Sequence, residues 1–135
     1  MSIDSIGNFL TIVRNGLMVS KRFVIAPYSK MRHSISKILL QEGFIRDIET
    51  VEEDSKKYIK VFLKYVDGER VIHEITRISK PSRRCYVASK NMKSVKGGLG
   101  LSILSTSNGI MTDKKAKAMA KEGSPVGGEI ICTVW

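Results

Sequence analysis

The sequence predicts an α+β fold, in which an N-terminal αβαβββ unit packs against a β-rich C-terminal unit that carries one short helix. Two observations predict the first unit. Apolar residues recur at helical spacing in two segments, and residues 58–65 alternate with the two-residue period of a strand. The third observation is a series of short apolar runs separated by glycine, proline and serine beyond residue 80, which predicts the second unit.

Two helices are predicted in the first unit. Asp4 can cap the first helix, whose buried face would carry Ile6, Phe9, Leu10, Val13 and Leu17. Ser29 caps the second helix, and Gly43 is its expected stop. We predict that the second helix buries Met31, Ile35, Ile38 and Leu39. Its polar side would carry Lys30, Arg32 and Lys37.

Strands are predicted around the second helix. The first is 22–28, closed by Pro27, and the next is 44–48, followed by an acidic loop at 49–54. The strand 58–66 then leads into Asp67-Gly68, a hairpin turn signal that predicts 70–75 as the partner strand.

A boundary to the second unit is predicted at 77–82, where the composition shifts and a proline appears, so that the domains are 1–76 and 77–135. Strands are expected at 83–88, 101–104 and 129–135, and a short turn or helical piece at 91–95. A last helix would begin at Thr112 or Asp113, run to about Lys121 and end at 123–125.

The charge distribution is uneven. The chain carries a net charge of +10, but residues 1–70 hold 12 basic and 9 acidic side chains, whereas residues 71–135 hold 11 and 4. Residues 77–117 contain ten basic side chains and a single acid, Asp113. Such a field attracts polyanions over about 8 Å at physiological salt. Nucleic acid is therefore the first expected partner, with an anionic membrane surface second.

Several classes of protein are disfavoured by the composition. Cys85 and Cys132 are far apart and outside any CxxC spacing, so we expect buried thiols in a reducing compartment and no zinc site. No apolar run approaches the roughly 20 residues that span a bilayer, and no secretory signal is evident. We expect a soluble intracellular protein.

The segment 97–113, GGLGLSILSTSNGIMTD, is the most distinctive stretch of the chain. Its glycines do not form a nucleotide-binding motif, because no Gly-Lys-Ser/Thr follows and Ile103 stands where a dinucleotide fingerprint has its third glycine. A tight turn with positive φ that leads into a strand is the favoured interpretation.

Two interpretations of STSNG, residues 105–109, stay open on local grounds. The hydroxyls and the amide can serve turn chemistry, or they can contact the phosphates, 2′-hydroxyls and base edges of an RNA helix. The surrounding positive charge favours recognition. Catalysis by these serines is disfavoured because the histidines, His33 and His73, belong to the first half. We therefore expect no enzyme, no cofactor and no small-molecule substrate.

The basic residues near this segment also have two interpretations, a phosphate-facing surface or an ordinary solvated one. Their density favours the first. They are Lys80, Arg83, Arg84, Lys90, Lys93 and Lys96. Tyr86 lies among them and either stacks on a base or sugar or packs in the core of its strand.

Several segments together resemble one family. They are Arg14-Asn15, Lys80-Pro81, Arg84 with Tyr86, Gly98-Leu99-Gly100, Ser105-Thr106-Ser107, Gly109, Met111-Thr112-Asp113, and Gly127-Gly128-Glu129 through Cys132. The sequence resembles, over essentially its whole length, the small-ribosomal-subunit protein family numbered eight in its bacterial form.

The resemblance implies a structural constituent of the small ribosomal subunit in the cytoplasm. Such a protein would be a primary binder of the central domain of small-subunit ribosomal RNA, would support subunit assembly and translation, and would contact neighbouring small-subunit ribosomal proteins. The alternative is a translational repressor that binds a structured messenger RNA with the same surface. A membrane partner is not expected.

The resemblance, together with the charge pattern, predicts an RNA-binding surface in 77–135. Its residues would be Ser105, Thr106, Ser107, Asn108, Gly109, Tyr86, Arg84, Lys90 and Glu129, with Lys30 as a contact of the first half. Three departures from the family pattern are visible. Asn108 stands where a lysine is frequent, Thr133 replaces a frequent aromatic residue, and 121–125 is the expected insertion.

Overall fold

The computed structural model describes residues 4–88, 94–124 and 126–135. They form two compact units, an N-terminal unit of Ser5–His73 and a C-terminal unit of Glu74–Trp135 together with Asp4. Three helices and antiparallel sheets account for these units, so the predicted α+β class is confirmed. The assignment of RNA binding to 77–135 stays a prediction.

The first helix of the N-terminal unit begins directly after Asp4, and the second begins and ends where local sequence signals place it. Helix α1 (Ser5–Met18) buries the five predicted apolar residues and Gly16. Helix α2 (Lys30–Gln41) is capped by Ser29, whose hydroxyl accepts a hydrogen bond from the Arg32 amide at 3.1 Å. Gly43 follows the end of α2 with a φ of +79°, a conformation that favours glycine.

The buried face of α2 differs from the prediction at two positions. Met31 is exposed, whereas Arg32 is buried, so the placement of Met31 inside and Arg32 on the polar side was wrong. The Arg32 guanidinium donates to the carbonyls of Pro27 and Ser5, each at 2.9 Å, and lies 5.8 Å from the centre of the Phe9 ring. These acceptors offset the cost of burying the charge, although desolvation still lowers the pKa of Arg32.

The sheet of the N-terminal unit has the antiparallel order β1-β3-β2, with β1 at Phe23–Pro27, β2 at Ile45–Glu53 and β3 at Lys56–Leu63. The predicted acidic loop at 49–54 was wrong because β2 continues to Glu53. Its glutamates lie opposite lysines of β3, in the pairs Glu49–Lys60, Glu52–Lys57 and Glu53–Lys56. Opposite charges across strands stabilise such a pairing, and the turn falls at Asp54-Ser55.

The predicted Asp67-Gly68 turn is confirmed. Both residues have positive φ, and they join the short strands β4 (Tyr65–Val66) and β5 (Glu69–Arg70). The prediction that the partner strand extends through 70–75 was wrong. Ile75 begins β6 (Ile75–Arg77), which belongs to the sheet of the C-terminal unit.

The C-terminal unit contains a five-stranded antiparallel sheet. Besides β6 it comprises β7 (Tyr86–Ala88), β8 (Leu101–Thr106), β9 (Gly109–Thr112) and β10 (Gly127–Val134). Strand β10 lies at the centre, because β8 pairs with it along one edge while β6 and β7 pair with different stretches of it.

Helix α3 (Asp113–Lys121) packs on one face of this sheet. The Thr112 hydroxyl caps the helix by accepting from the Lys115 amide at 3.2 Å, while the buried Asp113 carboxylate accepts from the Ser102 amide at 3.1 Å. Its core contacts involve Leu104, Met111, Ala116 and Val126, together with Val87, Met119 and Ile130. The predicted turn or short helix at 91–95 lies partly outside the described residues. Pro125, part of the predicted end of the last helix, also lies outside them.

Candidate nucleic-acid interface

The tip of the β8–β9 hairpin, residues 105–109, is shaped by a hydroxyl and a glycine. Thr106 Oγ1 donates to the Gly109 carbonyl at 2.8 Å and accepts from the Asn108 amide at 3.1 Å. Ser107 and Asn108 form the turn, and Gly109 has a φ of +103° that side chains rarely adopt. Thr106 and Gly109 therefore serve turn chemistry.

The other two hydroxyls of the hairpin tip are available. Ser107 is exposed and Ser105 is half-buried, and neither hydroxyl has a hydrogen-bond partner among the residues that the structure describes. A hydroxyl is both a donor and an acceptor, so each serine can bond a ligand without breaking a protein contact. The two interpretations of STSNG thus apply to different residues of the same segment.

A row of polar side chains continues from the hairpin tip across the sheet. Tyr86 of β7 lies opposite Glu129 of β10, which lies opposite Ser105 of β8. Side chains alternate along a strand, so this row faces away from the surface where Leu104 and Ile130 pack with α3. Tyr86 is 71% exposed, which rules out its interpretation as a core tyrosine. We call Tyr86, Glu129 and Ser105 the open row.

Arg84 is held beside the open row by a salt bridge. Its Nη1 lies 3.0 Å from Oε1 of Glu129, and the two side chains are 47% and 19% exposed. A pair as exposed as this contributes little to stability. Its structural effect is to orient the Arg84 guanidinium and to occupy one oxygen of Glu129.

Gly128 allows the strands under the open row to come together. A Cβ atom at this position would collide with the Ser105 carbonyl oxygen and would lie 2.9 Å from Cγ2 of Thr106. The sequence shows a Gly-Gly pair directly before the predicted strand 129–135, but it does not by itself indicate that Gly128 is needed for the close approach of β10 and β8. The Gly-Gly pair before a β-like run was the signal that could have indicated it.

The C-terminal unit carries exposed cations that have no compensating acid in the part of the chain that the structure describes. Lys80, Arg83, Lys96, Lys114 and Lys115 are all exposed. None of them forms an ion pair with a carboxylate in the described part of the chain. Lys80 and Arg83 lie close to Arg84 in the chain, whereas Lys96 and Lys114 lie at the other end of the sheet. Lys96 is 4.6 Å from the centre of the Trp135 ring, and Lys114 Nζ donates to the Gly98 carbonyl at 3.0 Å. The positive potential predicted from the sequence is therefore available to an external anion.

The glycine-rich entry to β8 is a tight turn, as predicted. Gly97 and Gly98 have φ values of +63° and +96°. A Cβ at Gly100 would meet Cβ of Trp135 at 2.6 Å, so this glycine permits a close approach to the end of the chain.

The two thiols differ in burial. Cys85 is half-buried, so the prediction that both thiols are buried was wrong for Cys85. Both cysteines are free, and the Cys132 thiol is buried, which raises its pKa to about 12. A thiol that stays protonated at neutral pH is a weak nucleophile and a weak metal ligand. No group of three or more metal-binding side chains occurs within 4–88, 94–124 and 126–135. None of the described helices is long and apolar enough to cross a membrane.

Sequence comparisons identify the family. The family model described as Ribosomal protein S8 matches residues 4–135. The chain belongs to the ribosomal protein S8 family. The predicted resemblance is thereby confirmed.

Curated members of the S8 family match along nearly their full length. The small ribosomal subunit protein uS8 of Limosilactobacillus fermentum is 50% identical over 133 residues, which cover 98% of this chain and 97% of the relative. The proteins of the same name from Dictyoglomus thermophilum and Enterococcus faecalis are each 47% identical, with the same two coverages.

In this S8-family chain, the structure brings most of the predicted site residues together. The hairpin tip, the open row and Arg84 belong to one end of the C-terminal sheet. Lys30 is exposed in the first turn of α2, in the N-terminal unit. Lys90 lies outside the described residues. The binding roles of all ten residues stay predictions.

Proposed function

We propose that this protein is a constituent of the small ribosomal subunit and binds small-subunit ribosomal RNA with one end of its C-terminal sheet. In this role it would hold the central domain of that RNA during subunit assembly, and it would work in the cytoplasm as part of the ribosome. Membership of the S8 family supports the proposal at the level of the whole protein.

One observation supports the assignment of RNA binding to this surface. The open row is solvent-accessible on a sheet whose other face packs with α3. It leads into the hairpin tip, where the Ser105 and Ser107 hydroxyls have no hydrogen-bond partner among the described residues. A flat polar row that ends in a narrow tip suits the wide, shallow minor groove of an RNA helix.

Each residue of the surface has chemistry that fits a part of RNA. The Ser105 and Ser107 hydroxyls can bond 2′-hydroxyls, phosphates or base edges, and Tyr86 offers an exposed ring for stacking. The free oxygen of Glu129 can accept from a base amino group or a 2′-hydroxyl. Arg84 carries the positive charge that a nearby phosphate requires.

Long-range attraction and recognition are separated in this surface. The exposed lysines and arginines of the C-terminal unit supply the attraction, since released counterions contribute most of the sequence-independent affinity for nucleic acids. The tip itself carries no charge, so it contributes shape and hydrogen bonds. Asn108, where a lysine is frequent in the family, is consistent with that separation.

In this proposal the protein binds RNA and catalyses no reaction. Activation of a serine needs a base within hydrogen-bond reach, and in the described residues neither Ser105 nor Ser107 has one. The acid opposite Ser105 is Glu129, which is already engaged by Arg84. A positioned hydroxyl without a base is suited to hydrogen bonding.

Filter binding of the full-length protein to the central domain of small-subunit ribosomal RNA tests the proposal. We expect Ser107→Ala to weaken binding by about 1–2 kcal/mol, as the loss of a desolvated hydrogen bond does. Ser124→Ala removes another exposed hydroxyl, which lies in the turn after α3, and should leave the affinity unchanged. If the unmodified protein fails to bind this RNA, the proposed function is wrong. If only the Ser107 effect is absent, the tip is not part of the interface.

A further inference from the structure

Three basic residues converge at one end of the sheet in the N-terminal unit. Strand β3 ends at Leu63, and the Leu63 amide donates to the carbonyl of Arg22, just before β1, at 2.9 Å. On the other side of β3, Leu63 lies opposite Ile45 at the start of β2. Arg22, Arg46 and Lys64 therefore come from three adjacent strand ends.

A β-bulge places Arg46 at this end. Ile45 pairs with Leu63 but Asp47 pairs with Phe62, so Arg46 is an extra residue without a direct partner. Such a bulge bends the strand and redirects the side chain of the extra residue. In this unit it turns Arg46 toward the same pocket that Arg22 lines.

The pocket is polar, basic and open to solvent. Its volume is about 480 Å³, and its lining residues are Ser20, Arg22, Arg46, Leu63, Lys64 and Tyr65. Two of these already have partners in the protein, since Lys64 Nζ donates to the Gly43 carbonyl at 3.3 Å and the Tyr65 hydroxyl donates to the Lys21 carbonyl at 2.6 Å. Arg22 and Arg46 are exposed.

No acid balances these cations. The lining contains no carboxylate, and none of Arg22, Arg46 and Lys64 forms an ion pair within the described ranges. The nearest acid in the chain is Asp47, which follows Arg46. Its Oδ1 accepts a hydrogen bond from the Ile48 amide at 2.8 Å. Two guanidinium groups with unused donors beside a hydroxyl match the shape and charge of a phosphate group.

We propose that this pocket binds a backbone phosphate of the RNA, as a second contact separate from the hairpin tip. Arg22 and Arg46 would contact the phosphate oxygens, and the Ser20 hydroxyl would be a further donor. Lys64 would add positive charge while its Nζ still donates to the Gly43 carbonyl, just after α2. The proposal rests on the proposed function, because the phosphate belongs to the RNA that the protein binds.

The test is the salt dependence of RNA binding by the full-length double variant Arg22→Gln/Arg46→Gln. Each lost phosphate contact reduces the slope of log K against log salt by about 0.7–0.9, so we expect a slope that is less steep by roughly 1.5. The affinity at moderate salt should fall roughly tenfold. Hydroxyl-radical footprinting should show that protections at some nucleotides disappear while those lost in Ser107→Ala remain.

A charge-matched control separates a local contact from the overall field. Lys37→Gln/Lys56→Gln also removes two exposed cations of the N-terminal unit, but neither residue lines the pocket. This control should keep the wild-type slope and footprint. Circular dichroism of both variants verifies that the fold is retained, which is expected for exposed side chains.

The outcomes distinguish this proposal from the proposed function. If the wild-type protein binds the RNA but the double variant has an unchanged slope and footprint, the pocket is not an RNA contact. The same holds if the control loses as much slope as the double variant. Shifts of the arginine side-chain NMR signals with inorganic phosphate, without any effect on RNA binding, would assign the pocket to a free anion and overturn the proposal. Absence of wild-type binding would instead refute the function itself.

Discussion

Gly128 supports the strongest prediction about the candidate interface, because a single methyl group there meets backbone. In Gly128→Ala the new Cβ collides with the Ser105 carbonyl oxygen and lies 2.9 Å from Cγ2 of Thr106. The carbonyl belongs to the ladder between β8 and β10, so it cannot rotate away as a flexible side chain would. The strands must move apart at the position where the open row crosses them.

The expected cost follows from this geometry. Overpacking in a well-packed region costs about 1–3 kcal/mol, and the rigid backbone contact places Gly128→Ala near the upper end of that range. In a chain of this length, 2–3 kcal/mol corresponds to a fall in melting temperature of about 8–12 °C. The separation of Glu129 from Ser105 should also weaken RNA binding by roughly tenfold, measured well below the melting temperature.

Gly127→Ala is the matched control. Its Cβ would lie 3.0 Å from the Val87 carbonyl oxygen and 3.3 Å from the Ala88 Cα, so the three-residue strand β7 would have to move by only a few tenths of an ångström. Thermal unfolding by circular dichroism and filter binding are measured for both variants. If Gly128→Ala melts and binds like the wild type, or no worse than Gly127→Ala, the close approach of β8 and β10 does not determine the interface.

Three further predictions concern single side chains. Arg32→Met should lower the free energy of unfolding by about 1–3 kcal/mol, because two partly buried hydrogen bonds from a charged donor are lost. Lys37→Met should change it by less than about 0.5 kcal/mol. Urea titration measures both variants, and equal midpoints would contradict the role of Arg32. Cys132→Val should reduce the loss of stability at alkaline pH. Burial raises the pKa of the Cys132 thiol from 9.0 to about 12. The contribution of the protonated thiol to the free energy of unfolding is therefore complete below pH 9 and is lost as the pH rises from 9 towards 12. Identical profiles of stability against pH for the wild type and the variant would refute this. Arg84→Gln should reduce the slope of log K for RNA binding against log salt by about 0.7–0.9, the value for one lost phosphate contact. An unchanged slope would mean that Arg84 contacts Glu129 but no phosphate.

Features that depend on neighbouring residues along the chain were predicted correctly. The apolar face of α1, the Ser29 and Thr112 caps, the Asp67-Gly68 turn and the glycine turn before β8 all have local causes. Helical periodicity, capping and positive φ each act within a few residues, so the sequence contains the whole physical reason. Net charge is likewise a property of composition alone.

The wrong predictions concern residues whose partners lie elsewhere in the chain. Arg32 is buried because the Ser5 and Pro27 carbonyls are brought to it, which no pattern within α2 indicates. The acidic stretch before Asp54 is a strand that pairs with β3 residue by residue, with lysines opposite three of its glutamates. Local propensity could not decide either case, since the deciding contact forms only in the tertiary structure.

The candidate interface also combines features that local sequence determines with features that depend on tertiary contacts. The sequence by itself determined that the net charge around residues 105–109 is positive, and it left both interpretations of these residues open. Only the tertiary structure decided which hydroxyls remain available. The Thr106 hydroxyl bonds within the turn, whereas those of Ser105 and Ser107 have no partner in the described part of the chain. It also decided that Tyr86, Glu129 and Ser105 form one row, since strand register aligns residues that are distant along the chain.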